Sequence, residues 1–178
     1  MFLVEDNNFL SEKSKDYIEN VILQNSFPYY YQSSATYNDD NNPYMCHIAI
    51  KRPEERDDGE KFNSTYAEPI CNFLLEFCNK HNIKINEILR CAVNITYNSP
   101  DEYCPIHMDH EYEHKQLLLY INEPIDKNSN LIIYDWDGTT KLKEISPTKF
   151  KGVCFEGRPH SIKYPEKGDR IVIVYTFK

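Results

Sequence analysis

The chain is 178 residues long, 40% of its residues are hydrophobic, and its formal net charge is −8. This length predicts one domain, residues 1–178, with enough apolar side chains to fold without metal or disulfide staples. An acidic chain with no Lys/Arg cluster is a poor match for nucleic acid, no apolar run reaches the roughly 20 residues of a membrane span, and the acidic start is unlike a secretory signal.

Two amphipathic helices are predicted in the first half of the chain. Ser11 is suited to cap the first helix, which we expect to run to about Gln24. The second helix covers about Glu68 to Asn79 and has Pro69 in its first turn. The side chains predicted to face inward are Tyr17, Ile18, Val21 and Ile22 on the first helix, and Ile70, Leu74, Phe77 and Cys78 on the second.

One strand and two loops are predicted around these helices. The segment from Tyr44 to Ile50 has the composition of a strand, whereas 38–43 and 51–64 are polar or charged and predict surface loops. Substrates are commonly held by loops, so 38–65 and 98–105 are candidate substrate-binding segments. Whether they form a lid is open at this stage.

From Ile88 onward the hydrophobic period changes to two. Between Leu89 and Tyr97 the odd positions are apolar and most even ones are polar, which predicts a half-buried strand. Helices followed by many short strands favour an α+β, mainly β chain, an antiparallel sandwich or barrel with its N-terminal helices packed on one sheet. Further strands are predicted near 105–109, 115–122, 130–134, 140–144, 151–155, 160–163 and 170–177.

The six cysteines carry no metal or redox signature, because no CxxC pair occurs among them. A chain without an export signal is expected to keep such thiols reduced. We therefore predict a cytoplasmic protein in which the cysteines act as small apolar residues.

The sharpest chemical motif is His107-Met108-Asp109. On a strand, residues i and i+2 point to the same face, so this imidazole and carboxylate can converge on one ion. His160, at the start of a predicted short strand, is the natural third ligand. Two histidines and one carboxylate on one side of an ion are the facial triad of non-haem Fe(II) oxygenases.

Arg170 opens the apolar strand 170–177. An arginine in such a strand is costly to bury without an anion. Inside a barrel, its fork could hold a carboxylate through two parallel hydrogen bonds. The alternative is an arginine at a strand end whose head reaches solvent.

Together these residues resemble the Fe(II)/2-oxoglutarate-dependent dioxygenases, especially their prolyl-hydroxylase-like branch. The resemblance covers about residues 88–177. Within it, Phe155 to His160 is similar to the family pattern Phe-x-Gly-x-x-His, and Gly168 to Arg170 is similar to Gly-x-Arg. Tyr97, ten residues before the first histidine, and Tyr120, in a Tyr-x-Asn sequence, match positions where the family carries tyrosines that contact the co-substrate.

The resemblance implies a fold and a set of binding residues. Its fold is a double-stranded β-helix, the jelly-roll or cupin-like core, here over 88–178, with 1–87 supplying helical support. Its chemistry uses O2 to decarboxylate 2-oxoglutarate to succinate and CO2 while hydroxylating a substrate C–H bond, and ascorbate can stimulate it. The implied residues are His107, Asp109 and His160 for Fe(II), and Arg170, Tyr120 and Tyr97 for 2-oxoglutarate.

The substrate class stays open between a protein side chain, for which prolyl hydroxylases are the first guide, and a small molecule. Nucleic-acid dealkylation is not implied, because the extra arginines of that branch are missing. Two other classes also remain: a non-catalytic cupin-like module that binds a metal or ligand, and a zinc hydrolase with the same three ligands. The hydrolase leaves Arg170 unexplained.

Two further groups of residues allow alternative interpretations. His110 and His114 could share a zinc ion if their segment were helical, but the polar sequence 109–115 favours a link with solvent-facing side chains. Several acidic residues flank the His-x-Asp motif. They either make the mouth of a site negative, which favours a basic peptide or cation, or merely keep the surface soluble. These residues are Asp101, Glu102, Glu111 and Glu113.

Overall fold

The structure is a computed structural model that describes residues 1–36, 40, 42–56 and 59–178. The other residues of the predicted loops, 38, 39, 41, 57 and 58, lie outside the described part. In chain order the elements are β1 (Leu3–Asp6), α1 (Glu12–Tyr17), a π-helical turn (Ile18–Ile22), β2 (Tyr30–Gln32), β3 (Tyr44–Ile50), a 3₁₀ turn (Pro53–Glu55), α2 (Ala67–Lys80), β4 (Ile88–Thr96), β5 (Lys115–Tyr120), β6 (Leu131–Tyr134), β7 (Lys141–Ile145), β8 (Gly152–Glu156), β9 (His160–Ile162) and β10 (Arg170–Phe177).

The strands form two antiparallel sheets. The larger has the order β1-β8-β5-β10-β4-β3-β2, and the smaller has the order β7-β6-β9. One apolar cluster joins the helices to one face of the larger sheet, and a second cluster lies between the two sheets. This arrangement confirms the predicted mainly β, α+β sandwich with its N-terminal helices on the larger sheet.

Strand alternation divides the side chains of the larger sheet between these clusters. In β10, Ile171, Ile173 and Tyr175 belong to the cluster on the helix side, while Val172 and Val174 face the smaller sheet. The strand predicted between Leu89 and Tyr97 is present as β4, but the prediction that it is half-buried is wrong. Its odd positions meet the helices, and most of its even positions are also buried, because they face the space between the sheets.

Both helices start where the sequence predicts. The Ser11 hydroxyl accepts a hydrogen bond from the Ser14 amide at 3.3 Å, so it caps α1. That helix ends sooner than predicted, at Tyr17, and passes into the π-helical turn. All the predicted inward side chains of both helices are buried or packed against the core. Among the described residues, no helix combines the length and apolar character needed to cross a bilayer.

One predicted strand is absent, and two strands of the structure were not predicted. The segment 105–109 is not a strand, because only His107 forms a bridge there. Two strands were not predicted: β1, which pairs with β8, and β2, which pairs with β3. Both lie at the edges of the larger sheet. Short edge strands are half exposed and carry weak apolar patterns, so sequence periodicity does not reveal them.

The cysteines behave as predicted. All six are free thiols and all are buried, with the exposed fraction of each at 9% or below. They contribute apolar volume to the core.

Candidate functional site

A cavity of about 270 Å³ lies between the two sheets. The strands β4, β5 and β10 form its floor, and β9 forms part of the opposite wall. Apolar side chains of Leu118, Val172 and Val174 line one part of it. The charged or imidazole side chains that line it, among the described residues, are Arg52, Glu55, Arg90, His107, Asp109, His160 and Arg170.

The two predicted metal-binding histidines are placed by a pair of backbone hydrogen bonds. The His107 amide donates to the His160 carbonyl at 3.0 Å, and the His160 amide donates to the His107 carbonyl at 2.9 Å. In such an antiparallel pair the two side chains lie on the same face. The ring centroids are 4.5 Å apart, so the rings lie side by side at the cavity wall.

Backbone carbonyls set the orientation of both rings. His107 Nδ1 lies 2.9 Å from the Pro105 oxygen, and His160 Nδ1 lies 2.9 Å from the Arg158 oxygen. A carbonyl oxygen can only accept, so each Nδ1 carries a proton, and the tautomer that these contacts select leaves the Nε2 lone pair available for a metal. Hydrogen bonds of this kind orient histidines for metal binding.

Asp109 is buried beside His160, and its two carboxylate oxygens have different partners. Oδ2 lies 3.7 Å from His160 Nε2. Oδ1 accepts from Arg52 at 3.0 Å and from Arg90 at 3.3 Å. Burial would raise the pKa of Asp109, but the neighbouring His160 imidazole and the guanidinium groups of Arg90 and Arg52 outweigh it and hold that pKa well below its usual range. The carboxylate is therefore ionised at neutral pH.

His160 is neutral under the same conditions. Burial, together with the neighbouring His107, lowers the pKa of His160 to about 4. A neutral imidazole and an ionised carboxylate are the protonation states that metal binding requires.

The three side chains offer the types of donor atom that bind a divalent cation, although these atoms do not surround a common point. Two imidazole nitrogens and one carboxylate oxygen at the same cavity wall are the donors of a facial triad, which fits Fe(II). In the described part of the chain, no three His, Cys, Asp or Glu side chains are arranged so that they could hold a metal ion as they stand. Arg52 and Arg90 both contact Oδ1 of Asp109, so Oδ2 is the oxygen that faces His160.

Arg170 is 3% exposed and has no carboxylate partner within 4 Å among the described residues. Its Nη2 donates to the Tyr120 hydroxyl at 3.5 Å, and its Nε is buried without a partner. The alternative of a strand-end arginine reaching solvent is therefore wrong. A buried guanidinium without an anion is unfavourable by itself, so this arginine could hold the carboxylate of a bound ligand.

The two predicted tyrosines have different positions. Tyr120 is buried against Arg170, with its ring centroid 5.0 Å from the guanidinium carbon. Tyr97 is 44% exposed and does not line the cavity, so its position does not support the predicted cofactor contact. Tyr164 lines the cavity instead, and its hydroxyl is buried without a hydrogen-bond partner. No pattern in the sequence marks Tyr164.

Arg52 and Arg90 were also missed by sequence reasoning. Arg90 had a weak signal, because it places a charge on an otherwise apolar strand. Arg52 had none, since it lies in the charged segment 51–64, which was predicted to be a surface loop. Its side chain is only 19% exposed and contacts the Asp109 carboxylate at 3.0 Å.

Both candidate substrate segments contribute to the cavity wall. Segment 38–65 supplies Tyr44, Ile48, Arg52 and Glu55, and segment 98–105 supplies Cys104. These contacts place the described parts of both segments beside the candidate ligands.

The prediction of solvent-facing side chains at His110 and His114 is wrong. Both are buried, at 5% and 4% exposure. His110 Nε2 lies 2.8 Å from the Thr176 hydroxyl, and His114 Nδ1 donates to the Tyr112 carbonyl at 2.8 Å. The segment is not helical and packs against the end of β10 and Gly157, which has no side chain to exclude the His114 ring.

None of the four acidic residues that flank the motif lines this cavity. Glu111 and Glu113 line a separate groove of about 910 Å³. Glu102 lies 3.3 Å from the Lys163 amine, and Asp101 accepts from the Asn42 amide at 2.8 Å. Their charges therefore belong to the outer surface.

No protein-family model and no curated protein matches this sequence. Solved structures do. A 2OG-Fe(II) oxygenase family oxidoreductase from Burkholderia pseudomallei is 15% identical with a TM-score of 0.75, over 99% of this chain and 84% of that one. A Trichoplax adhaerens prolyl hydroxylase, solved with a hypoxia inducible factor peptide fragment, is 16% identical with a TM-score of 0.63, over 98% and 82% of the chains. A Pseudomonas putida prolyl-4-hydroxylase is 13% identical with a TM-score of 0.61, over 99% and 91%.

Similarity at these identities establishes the fold. The chain has the double-stranded β-helix of the 2-oxoglutarate oxygenases, which confirms the predicted jelly-roll core.

Proposed function

We propose that this chain is an Fe(II)- and 2-oxoglutarate-dependent dioxygenase that hydroxylates a C–H bond and releases succinate and CO2. One observation carries the proposal. The buried guanidinium of Arg170, which has no carboxylate partner among the described residues, lines the same cavity as His107, Asp109 and His160. A metal-binding donor set and a separate carboxylate-binding group are together what a 2-oxo dicarboxylate needs.

Each residue then has a defined task. Nε2 of His107, Nε2 of His160 and one oxygen of Asp109 would hold the iron, while Arg170 and Tyr120 would bind the far carboxylate of 2-oxoglutarate. Iron and 2-oxoglutarate, when bound, supply the oxidative chemistry with O2. The apolar residues of β5 and β10 exclude water from the cavity.

Two substrate classes are compatible with this cavity. The Trichoplax adhaerens neighbour is solved with a peptide fragment, which supports a protein side chain as the first class. A small molecule is the second. Nucleic acid is not expected, and a cytoplasmic location stays a prediction from the sequence.

The proposal predicts slow release of succinate from 2-oxoglutarate when the protein is supplied with Fe(II), ascorbate and air, even without substrate. Asp109→Ala removes the only carboxylate of the ligand set, so the release should fall to the level without protein. Succinate is measured by mass spectrometry. Asp16→Ala makes the same change on the exposed surface of α1 and should release succinate at the rate of the unmodified chain.

The same assay separates the other classes. A non-catalytic cupin-like module releases no succinate in either form. A zinc hydrolase acts without O2 and without 2-oxoglutarate, whereas the proposed dioxygenase is inactive when either is withheld. No observation on the structure favours these two classes.

A further inference from the structure

Two arginines outside the predicted motif meet at one oxygen atom. Arg52 and Arg90 both donate to Oδ1 of Asp109, at 3.0 and 3.3 Å. Arg52 also donates to the backbone carbonyl of Asp109. Their side chains are 19% and 10% exposed, and both line the cavity. Arg52 comes from the segment after β3, and Arg90 comes from β4, so a loop and a strand of the larger sheet each supply one arginine.

One carboxylate cannot neutralise two guanidinium groups. The second acidic side chain on the wall, Glu55, lies 4.0 Å from Arg52 and is 52% exposed, so solvent weakens its effect. Buried charges are costly unless they are paired. The described residues that line the cavity therefore carry more positive than negative charge.

Cofactors do not remove this excess. A divalent cation and the dianion 2-oxoglutarate cancel each other in charge, and Arg170 is assigned to the co-substrate. Arg52 and Arg90 are then left with the buried carboxylate of Asp109 and the half-exposed carboxylate of Glu55.

We infer that the substrate carries an anionic group, a carboxylate, that binds to Arg52 and Arg90 at the cavity wall. This inference rests on the proposed function and names its substrate class. Both Nη atoms of Arg52 already donate to Asp109, so Arg52 contributes mainly its charge. Arg90 donates to Asp109 through Nη1, and its remaining N–H groups can meet a carboxylate in the planar guanidinium geometry. The alternative of a basic peptide or cation is not supported, because Asp101, Glu102, Glu111 and Glu113 lie away from this cavity.

The test compares each of the twenty N-acetyl amino acids with a free carboxylate against the same compound as its primary amide. Binding is measured by thermal shift on protein loaded with Zn(II) and 2-oxoglutarate without O2, so no turnover is needed. Product is measured separately, with Fe(II) in air, as one added oxygen. A charge-assisted contact predicts that the best acid binds about tenfold or more tightly than its amide.

Three variants identify the residue responsible. Arg52→Gln should bring the acid-to-amide ratio close to one, and Arg52→Lys should keep most of it. Arg56→Gln is the matched control, because Arg56 lies on the same segment, donates to the Lys51 and Leu89 carbonyls and does not line the cavity. It should leave the ratio unchanged.

Several results would overturn the inference. These are equal binding of acids and amides, a preference for amides or for cationic members, or an unchanged ratio in Arg52→Gln. A higher 2-oxoglutarate requirement in Arg52→Gln would assign the arginine to the co-substrate and also overturn it. If Zn(II) and 2-oxoglutarate themselves give no thermal shift, the proposed function fails together with this inference. If Zn(II) and 2-oxoglutarate give a thermal shift but acids bind no better than amides, the inference fails and the proposed function stands.

Discussion

At the scale of single residues, the cavity contains two contrasting arginine environments. Asp109 receives hydrogen bonds from Arg52 and Arg90 on one oxygen, whereas the one hydrogen-bond partner of the Arg170 guanidinium among the described residues is the Tyr120 hydroxyl, at 3.5 Å. The first environment holds a carboxylate of the protein itself and keeps positive charge for the carboxylate inferred on the substrate. The second is prepared for a carboxylate that the protein does not supply.

Replacing Arg170 and replacing His160 should therefore have separable effects. Arg170→Ala removes a charged hydrogen-bond donor worth about 1.5–3 kcal/mol, so the 2-oxoglutarate concentration for half-maximal succinate release should rise about ten- to a hundredfold. Iron binding should be retained. His160→Ala removes a ligand and should weaken iron binding itself. Both are measured by titration of metal, then of 2-oxoglutarate.

Arg158→Ala is the control for charge loss. Arg158 lies two residues before His160 but is paired with Glu156 and Asp135, each at 2.6 Å, and does not line the cavity. Its 2-oxoglutarate requirement should be unchanged. Normal kinetics in Arg170→Ala would remove Arg170 from the site, and full iron affinity in His160→Ala would mean that another residue completes the ligand set.

At the scale of elements, the site depends on close packing between strands and the helices behind them. Gly152 begins β8 and pairs with Asp6 of β1 and Leu119 of β5. A Cβ at this position would lie 2.8 Å from ring atoms of Phe77 on α2 and of Phe9. The glycine allows both rings to pack against the sheet.

Gly152→Ala should therefore lower the free energy of unfolding by about 1–3 kcal/mol, because overpacking forces the rings or the strand to move. Urea denaturation measures the change. Phe77→Leu removes ring atoms at the point of contact, so the double variant should lose less than the sum of the single losses. Wild-type stability in Gly152→Ala, or strict additivity, would contradict this account of the packing.

At the scale of the whole molecule, the first half of the chain is built into the larger sheet. The strands β1, β2 and β3 pair there with strands from the second half. This mixing supports the prediction of one domain over 1–178, which stays a prediction. His47 connects β3 to two other segments of the first half, because its ring nitrogens lie 2.8 Å from the Pro28 carbonyl and 2.8 Å from the Ser64 hydroxyl.

The burial of His47 predicts that the stability of the protein depends on pH. Burial lowers the pKa of His47 below its ordinary value of 6.5, although the hydrogen bond to Pro28 acts in the opposite direction. The unfolded chain then binds more protons than the folded one below about pH 6.5, so His47 contributes full stability above that pH and loses it as the pH falls. The melting temperature of the metal-free protein should drop between about pH 7.5 and 5.5.

His47→Gln keeps polar atoms at this position but does not titrate. Its melting temperature should fall less steeply over the same interval, and above it the two curves should run parallel. A variant whose acid dependence equals that of the unmodified chain would show that His47 does not contribute to it.

Residue types and their local order were sufficient to predict most of the strands and four residues of the candidate site. A period-two pattern located β4, and short apolar runs separated by turn residues located the strands from β5 to β10, apart from the false strand at 105–109. The residues His107, Asp109, His160 and Arg170 were selected by type and spacing, and they line one cavity. Their roles stay a proposal, but these four residues could be selected without knowing how the rest of the chain folds.

Other features were decided only by the tertiary structure, because they depend on which distant segments come together. The partner of Asp109 is Arg52, 57 residues earlier in the chain, and a charged loop sequence does not show which of its side chains turns inward. The burial of His110 and His114 depends on β10 and Gly157, and the choice between Tyr97 and Tyr164 depends on how the two sheets are stacked. Periodicity records whether a face is buried; the neighbour that buries it is set by sheet order and by the path of the loops.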